Sequence, residues 1–110
     1  MNRLNLGEFE ELVLLIVAIR NNDAYGVSVR EEILEQTGRK INISAVHTAL
    51  DRLEKKGMVE SYLGGATQKR GGRRKRLFNI TAYGAKAVAY TRELRNSLYD
   101  QIPPMVLKLV

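Results

Sequence analysis

One stretch limits the possible folds of this chain more than any other, because an amphipathic segment at 43–56 leads directly into two short alternating segments. The apolar residues of the first segment recur at helical spacing, at Val46, Leu50 and Leu53. Residues 58–63 divide between two sides as in a strand, with Val59, Ser61 and Leu63 on one side and Met58, Glu60 and Tyr62 on the other. A glycine-rich loop follows, and residues 75–80 return as a second strand. The sequence therefore predicts a helix followed at once by a β-hairpin.

Three further helices complete the predicted order. Helical periodicity or capping signals indicate helices at about Glu8–Arg20, Tyr25–Thr37 and Ala82–Asp100. Lys40 and Ile41 are predicted to form a very short strand. The fold class is then mainly α with a small β-hairpin (α+β), in the order helix, helix, short strand, helix, hairpin, helix. Two helices joined by a short link, with a hairpin after the third helix, make a winged helix-turn-helix.

The length of 110 residues suits one compact domain. Within it we expect residues 1–81 to form the winged helix-turn-helix and residues 82–110 to form a C-terminal dimerisation helix with a tail. The first helix is apolar nearly all round, which is typical of burial on two sides. We expect a partner subunit on its second side, and the alternative is coverage by another segment of the same chain. The residues expected at the dimer interface are Val13, Leu14, Val17, Val88, Thr91, Leu94 and Leu98.

Positive charge is concentrated in the loop of the predicted hairpin. Six of the eight residues in Lys69–Arg76 are basic, which equals the whole net charge of +6. Such a patch indicates a polyanionic partner, with nucleic acid as the first candidate; the alternative is a solvated loop that aids solubility. If residues 64–76 form a wing on the DNA backbone or in the minor groove, the expected phosphate contacts are Lys69, Arg70, Arg73, Arg74, Lys75 and Arg76.

The third helix, at about 43–56, has the character of a recognition helix. Its polar face carries mostly short side chains near the N-terminus, and a helix of this kind fits the major groove of DNA. Base readout is expected from Ser44, Ala45, His47, Thr48 and Arg52, and helix-side backbone contacts from Tyr25 and Lys55. Two alternatives remain open: Arg52 could pair with Asp51 or Glu54 on the helix surface, and His47 could pack against the hairpin.

Other classes of function have less support. The chain has no cysteine and one histidine, so a Cys/His catalytic pair and a histidine-rich metal site are excluded, and we expect no enzyme activity, no metal and no cofactor. Its longest apolar run, Leu12–Ile19, has eight residues and is too short to span a bilayer; a reducing cytoplasm is the simplest location. An RNA-binding module is the main alternative, but it would use aromatic stacking platforms, for which the hairpin offers only Tyr62 and Phe78.

The segments "AYGVSVREEI", "ISAVHTALDRLEKKGMVES" and "GGATQKRGGRRKRLFNITAYG" together resemble the PadR family of bacterial transcriptional regulators. The resemblance covers roughly Leu12 to Ala87, and "TALDRLEKKGMV" is similar to the family's recognition helix and its exit into the hairpin. It implies a homodimeric winged-helix protein, usually a repressor, whose last helix packs against the partner. The single helix after the hairpin is similar to the short-tailed branch of the family.

The resemblance also implies two partners: double-stranded DNA with a pseudo-palindromic operator, and a small-molecule effector at the dimer interface.

The chain departs from the family at three points. His47 stands where the family usually has a tyrosine, and Ser44 stands where short-tailed relatives often have glycine. Some relatives bind planar drugs between subunits with a tryptophan of the last helix, and because this chain has no tryptophan, that mode is not carried over.

Overall fold

A computed structural model describes residues 4, 6–64 and 75–109. Its order of elements is the predicted one, except that the very short strand is absent and a short helix follows the last predicted one. The helices and strands are α1 (Glu8–Ile19), α2 (Gly26–Thr37), α3 (Ile43–Lys55), β1 (Val59–Leu63), β2 (Arg76–Ile80), α4 (Ala82–Asp100) and α5 (Pro104–Leu107). Within these ranges no helix combines the length and the apolar character that crossing a bilayer requires.

Local signals in the sequence explain where the helices begin and end. Asn42 caps α3, since its side-chain Oδ1 accepts a hydrogen bond from the backbone N–H of Ala45 at 2.8 Å. Gly38 ends α2 in the left-handed conformation, with φ of 74°, where a residue with a Cβ would be strained. Asp100 ends α4 as predicted, and Pro104 then occupies the first turn of α5, where its missing N–H costs nothing.

The first three helices and the hairpin enclose one apolar core. Val13, Leu14 and Val17 of α1 are buried in it within the single chain. The prediction that these three side chains face a partner subunit is therefore wrong, and the alternative of coverage by the same chain is correct. The physical reason is that α1 packs against α2, α3, β2 and α4 at once, so the side taken for a free face lies inside. The apolar residues of α1 that remain exposed are Leu15 and Ile19.

The hairpin is a two-stranded antiparallel sheet in which Ser61 pairs with Phe78. No strand forms at Lys40–Ile41, which corrects the prediction of a short strand there. Outside the hairpin ladder, the N–H of Phe78 on β2 donates to the carbonyl oxygen of Ala24, in the turn between α1 and α2, at 2.8 Å. The chain between α2 and α3 has no such backbone partner among the described residues, so it remains a link without ladder hydrogen bonds.

The hairpin and α4 approach each other closely where they join. The hydroxyl of Thr81 donates to the carbonyl oxygen of Gly57 at 2.6 Å and accepts from the N–H of Gly84 at 3.0 Å. A Cβ added at Gly84 would lie 2.1 Å from the carbonyl oxygen of Met58. Only glycine allows α4 to begin this close to the start of β1. The helix then extends away from the body, and residues 92–100 are all exposed.

Candidate nucleic-acid interface

The two faces of α3 divide cleanly into core and surface. The residues on its core side, Val46, Ala49, Leu50 and Leu53, are at most 3% exposed. Of the residues expected to read bases, Ser44, His47, Thr48 and Arg52 are exposed and Ala45 is half-buried; Lys55 is exposed as well. The polar face of α3 is thus not covered by the described part of its own chain, so a groove of DNA can reach it.

His47 is exposed at its edge but packs on one side. A Cβ at Gly26 would lie 2.6 Å from its Cε1 atom, so the ring rests against the first residue of α2. The sequence alternative placed His47 against the hairpin; the structure places it against α2 instead. Gly26 leaves room for the imidazole there, and the ring remains on the exposed face of α3.

Arg52 is not neutralised by its neighbours on α3. No ion pair of Arg52 is found among residues 6–64 and 75–109, and the two carboxylates expected to compete for it, Asp51 and Glu54, both lie beside Arg76. With Thr48 and Lys56, Arg52 lines an open groove of about 680 Å³ between α3 and the start of α1. The guanidinium therefore stays available to a ligand that approaches this face.

A charged cluster joins α3 to both strands of the hairpin. The Ser61 hydroxyl donates to Oε2 of Glu54 at 2.5 Å, and Nη2 of Arg76 donates to Oε1 of the same carboxylate. Nη1 of Arg76 also lies 3.6 Å from Oδ1 of Asp51. The hydrogen bond from Ser61, and then the positive charge of Arg76, lower the pKa of Glu54 below its usual value, so this carboxylate stays charged at neutral pH. Arg76, expected on phosphate, is held by α3.

Lys75 makes a second contact between the hairpin and the helices. Its Nζ lies 4.2 Å from the centroid of the Tyr25 ring, a cation–π distance. Tyr25 is the residue before α2, and its N–H donates to the Oγ of buried Ser28 at 2.9 Å. The end of the hairpin next to its loop, which we call the hairpin root, is thus held against α2 as well as α3. The remaining basic residues of the predicted wing, Lys69, Arg70, Arg73 and Arg74, lie outside the described residues.

The expected dimer residues on the last helix are accessible to different degrees. Val88 and Thr91 are half-buried against the body, whereas Leu94 and Leu98 are 45% and 58% exposed. Beyond α4, Met105 and Leu109 are exposed still further. Apolar surface therefore continues along the distal half of α4 into α5, with no described segment of the chain against it.

Sequence reasoning missed the roles of Glu54 and Ser61. Glu54 was considered only as a partner for Arg52, two residues away, and Ser61 only as one side of a strand. No local pattern could have revealed the contact with Arg76, because 22 residues separate Glu54 from it. In the described part of the chain, no group of three or more histidine, cysteine or carboxylate side chains is arranged to hold a metal ion.

A helix-turn-helix whose third helix exposes a polar face, followed by a hairpin and a projecting helix, defines a winged-helix protein. Comparison with known proteins gives the family. Residues 13–90 match the model of the transcriptional regulator PadR-like family. The chain belongs to this family, whose members are DNA-binding transcription regulators and not enzymes.

One further protein is similar in sequence, and two solved structures are similar in fold. An uncharacterized protein of Lysinibacillus sphaericus is 31% identical over 90 residues, which span 80% of this chain and 75% of the relative. A PadR family transcription regulator of Clostridium difficile has a similar structure, with a TM-score of 0.69 at 19% identity over 86% of this chain and 93% of its own. A PadR-like transcriptional regulator of Bacillus cereus gives 0.70 at 16% identity, over 92% and 89% of the two chains.

Proposed function

We propose that this protein binds double-stranded DNA sequence-specifically, with α3 in the major groove and the basic wing at 64–76 on the backbone or in the adjacent minor groove. The single observation that carries the proposal is the position of the hairpin root. Arg76, the first residue of β2, lies against the last turn of α3, and the polar face of that helix is exposed. The loop that follows β1 therefore starts beside the recognition helix.

The division of labour follows from the chemistry of the two parts. Wing cations neutralise phosphates, which gives affinity and register but little sequence information. The exposed face of α3 reads bases, through Ser44, Ala45, His47, Thr48 and Arg52. Arg52 is the best suited of these, because a guanidinium can donate two hydrogen bonds to one guanine and no described carboxylate occupies it. Lys55 and Tyr25 lie at the margins, where the backbone passes.

The RNA alternative receives less support from the hairpin. Single-stranded RNA modules display aromatic rings on which bases stack. Phe78 is 2% exposed and belongs to the core, which leaves Tyr62, at 38% exposure, on the described part of the hairpin. One ring does not make a stacking platform for successive bases.

The first prediction tests DNA recognition directly. The purified protein should bind a pseudo-palindromic duplex from the region upstream of its own gene, with half-sites about one helical turn apart, more tightly than a shuffled duplex of equal composition. Fluorescence anisotropy at fixed salt measures both affinities. Equal affinity for the two duplexes would contradict sequence-specific regulation, and a preference for hairpin RNA of the same length would favour the alternative.

A homodimer completes the proposal. Leu94 and Leu98 on α4, together with Leu15 and Ile19 on α1, are large apolar side chains without cover from the described chain. Two copies that pack these surfaces together would remove them from water, and would also place two recognition helices on one duplex. Such symmetry matches a pseudo-palindromic operator.

The second prediction concerns this interface. Light scattering at micromolar concentration should give a species of twice the chain mass of 12.4 kDa. Leu98→Glu should shift the species toward the monomer, because the new carboxylate would be buried between subunits. Ser97→Glu, which adds the same charge at a neighbouring exposed position, is the matched control and should stay dimeric. A single 12.4 kDa species for the unaltered chain would refute the dimer.

The proposal also covers the direction of regulation and the location. We expect repression, because a dimer that covers an operator excludes other proteins from it. We expect action in the cytoplasm, where the DNA of a bacterial cell lies.

A site for a small-molecule effector is supported by a groove of about 500 Å³ between α1 and α4. Apolar Leu15 and Val88 and polar Arg92, Arg95 and Asn96 line this groove. A second subunit against α4 would close this groove, so a ligand there could alter the spacing of the recognition helices.

A further inference from the structure

We infer that Glu54 is a positioning residue for DNA binding: through Arg76 it holds the root of the basic hairpin loop beside α3. The inference rests on the proposed function and assigns a role to an acidic residue that phosphate would repel. Glu54 stands next to the last residue of α3, and each of its carboxylate oxygens is bound by a different strand. Ser61 of β1 binds Oε2, and Arg76 of β2 binds Oε1.

The position of Arg76 makes this contact important for the loop. Arg76 pairs with Leu63 at the last step of the strand ladder. One residue further, the N–H of Gly64 donates to the carbonyl oxygen of Lys75 at 2.7 Å. The loop that carries the other basic residues begins and ends at this point. Whatever fixes Arg76 therefore fixes the origin of the loop relative to the recognition helix.

Several contacts restrict the guanidinium of Arg76 to one place. Besides Glu54, it approaches Asp51 one turn earlier on α3, at 3.6 Å. Its Cζ lies 5.1 Å from the centroid of the buried Phe78 ring. The two carboxylates are one helical turn apart on the edge of α3 that faces the hairpin. The side chain of Arg76 is half exposed, but its guanidinium is paired with carboxylates of its own chain.

The sign of one mutational effect separates this role from simple electrostatics. A carboxylate near DNA repels phosphate, so its removal should tighten binding if charge alone matters. If Glu54 positions the wing through Arg76, its removal should weaken binding, because the loop then loses its fixed origin. The two explanations predict opposite changes for the same variant.

The experiment compares Glu54→Gln with the unaltered chain on a duplex of about 40 base pairs from the region upstream of its gene, and on a shuffled duplex. Glutamine keeps the shape and an acceptor for Ser61 but loses the ion pair. We expect about three- to fivefold weaker binding to both duplexes, the range of a partly exposed ion pair. Glu60→Gln, which removes the same charge from an exposed position on β1, should bind equally well or slightly tighter.

A double-mutant cycle tests whether Glu54 acts through Arg76. The double variant Arg76→Gln with Glu54→Gln should bind DNA no more weakly than Arg76→Gln alone, because the first substitution has already removed the ion pair. Stoichiometric titration gives the active fraction of each variant, so partial unfolding is not mistaken for lost affinity. Additive losses in the cycle, or unchanged or tighter binding by Glu54→Gln, would overturn the inference and leave the proposed function intact. Failure of the unaltered chain to bind either duplex would remove both.

Discussion

Replacement of Arg70, Arg73 and Arg74 by alanine is expected to weaken binding to every duplex by about two orders of magnitude near 0.1 M salt, with little change in sequence preference. Each lost phosphate contact removes about 0.9 from the slope of log K against log salt concentration, so the slope should flatten by about 2 to 3 for each bound subunit. Anisotropy titrations at several salt concentrations measure both quantities. Arg76 is left in place, because it pairs with Glu54 and its loss would mix two effects.

A control variant separates local phosphate contacts from total charge. Lys86 on α4 and Lys108 just beyond α5 are exposed, and their replacement by alanine removes two positive charges from each chain. This control should change the salt slope by less than about 1. If both variants flatten the slope equally, the effect comes from net charge, and the wing does not contact phosphate. An unaltered salt slope in the wing variant would also show that the wing does not contact phosphate.

Gly84→Ala is expected to have the largest effect on stability of any single methyl addition to this chain. The new Cβ would lie 2.1 Å from the carbonyl oxygen of Met58 and 2.9 Å from the Ile80 side chain. The first neighbour is backbone in a paired segment, since the N–H of Thr81 donates to the same oxygen at 3.0 Å. It cannot move without loss of that hydrogen bond. We expect about 3 kcal/mol of destabilisation, at the upper end for an overpacked site, and a Tm about 15 °C lower.

Gly7→Ala is the matched control for this prediction. A Cβ at Gly7 would meet no atom within 4 Å, and its φ of −66° suits any residue. The Tm of this variant, measured by thermal unfolding with circular dichroism, should lie within a few degrees of that of the unaltered chain. Its free energy of unfolding should change by about 0.5 kcal/mol or less. If Gly84→Ala unfolds at the same temperature as the control, then the close approach of α4 to Met58 does not exist in solution.

The four longer helices and the hairpin were predictable because each depends on residues close together in the chain. The recurrence of apolar residues every 3.6 residues in α3 can be recognised from that segment alone. The bounds of α4 were predicted as observed, Ala82–Asp100, because Thr81 is a strong cap and the prolines at 103 and 104 prevent continuation. Family membership was likewise predictable, and the match over residues 13–90 confirms it.

The faces of α1 were not predictable, for a definite reason. A helix that is apolar nearly all round has no periodic contrast, so its own sequence cannot say which side meets its own chain. Val13 and Leu14 were assigned to a partner, yet they are fully buried within the chain, while Leu15 and Ile19 are exposed. The position of α2, α3 and the hairpin around α1 decides this, and that position is a property of the whole fold.

The four longer helices, the hairpin, the concentration of charge in its loop and the family can all be predicted from the residues, because they follow from short-range periodicity, caps and composition. Which charges pair within the protein depends instead on how the chain folds. The tertiary structure brings Arg76 to Glu54 across 22 residues of sequence and leaves Arg52, two residues from Glu54, without a described partner. Ion pairing depends on distance in space, and distance along the chain does not report it once the chain has folded back on itself.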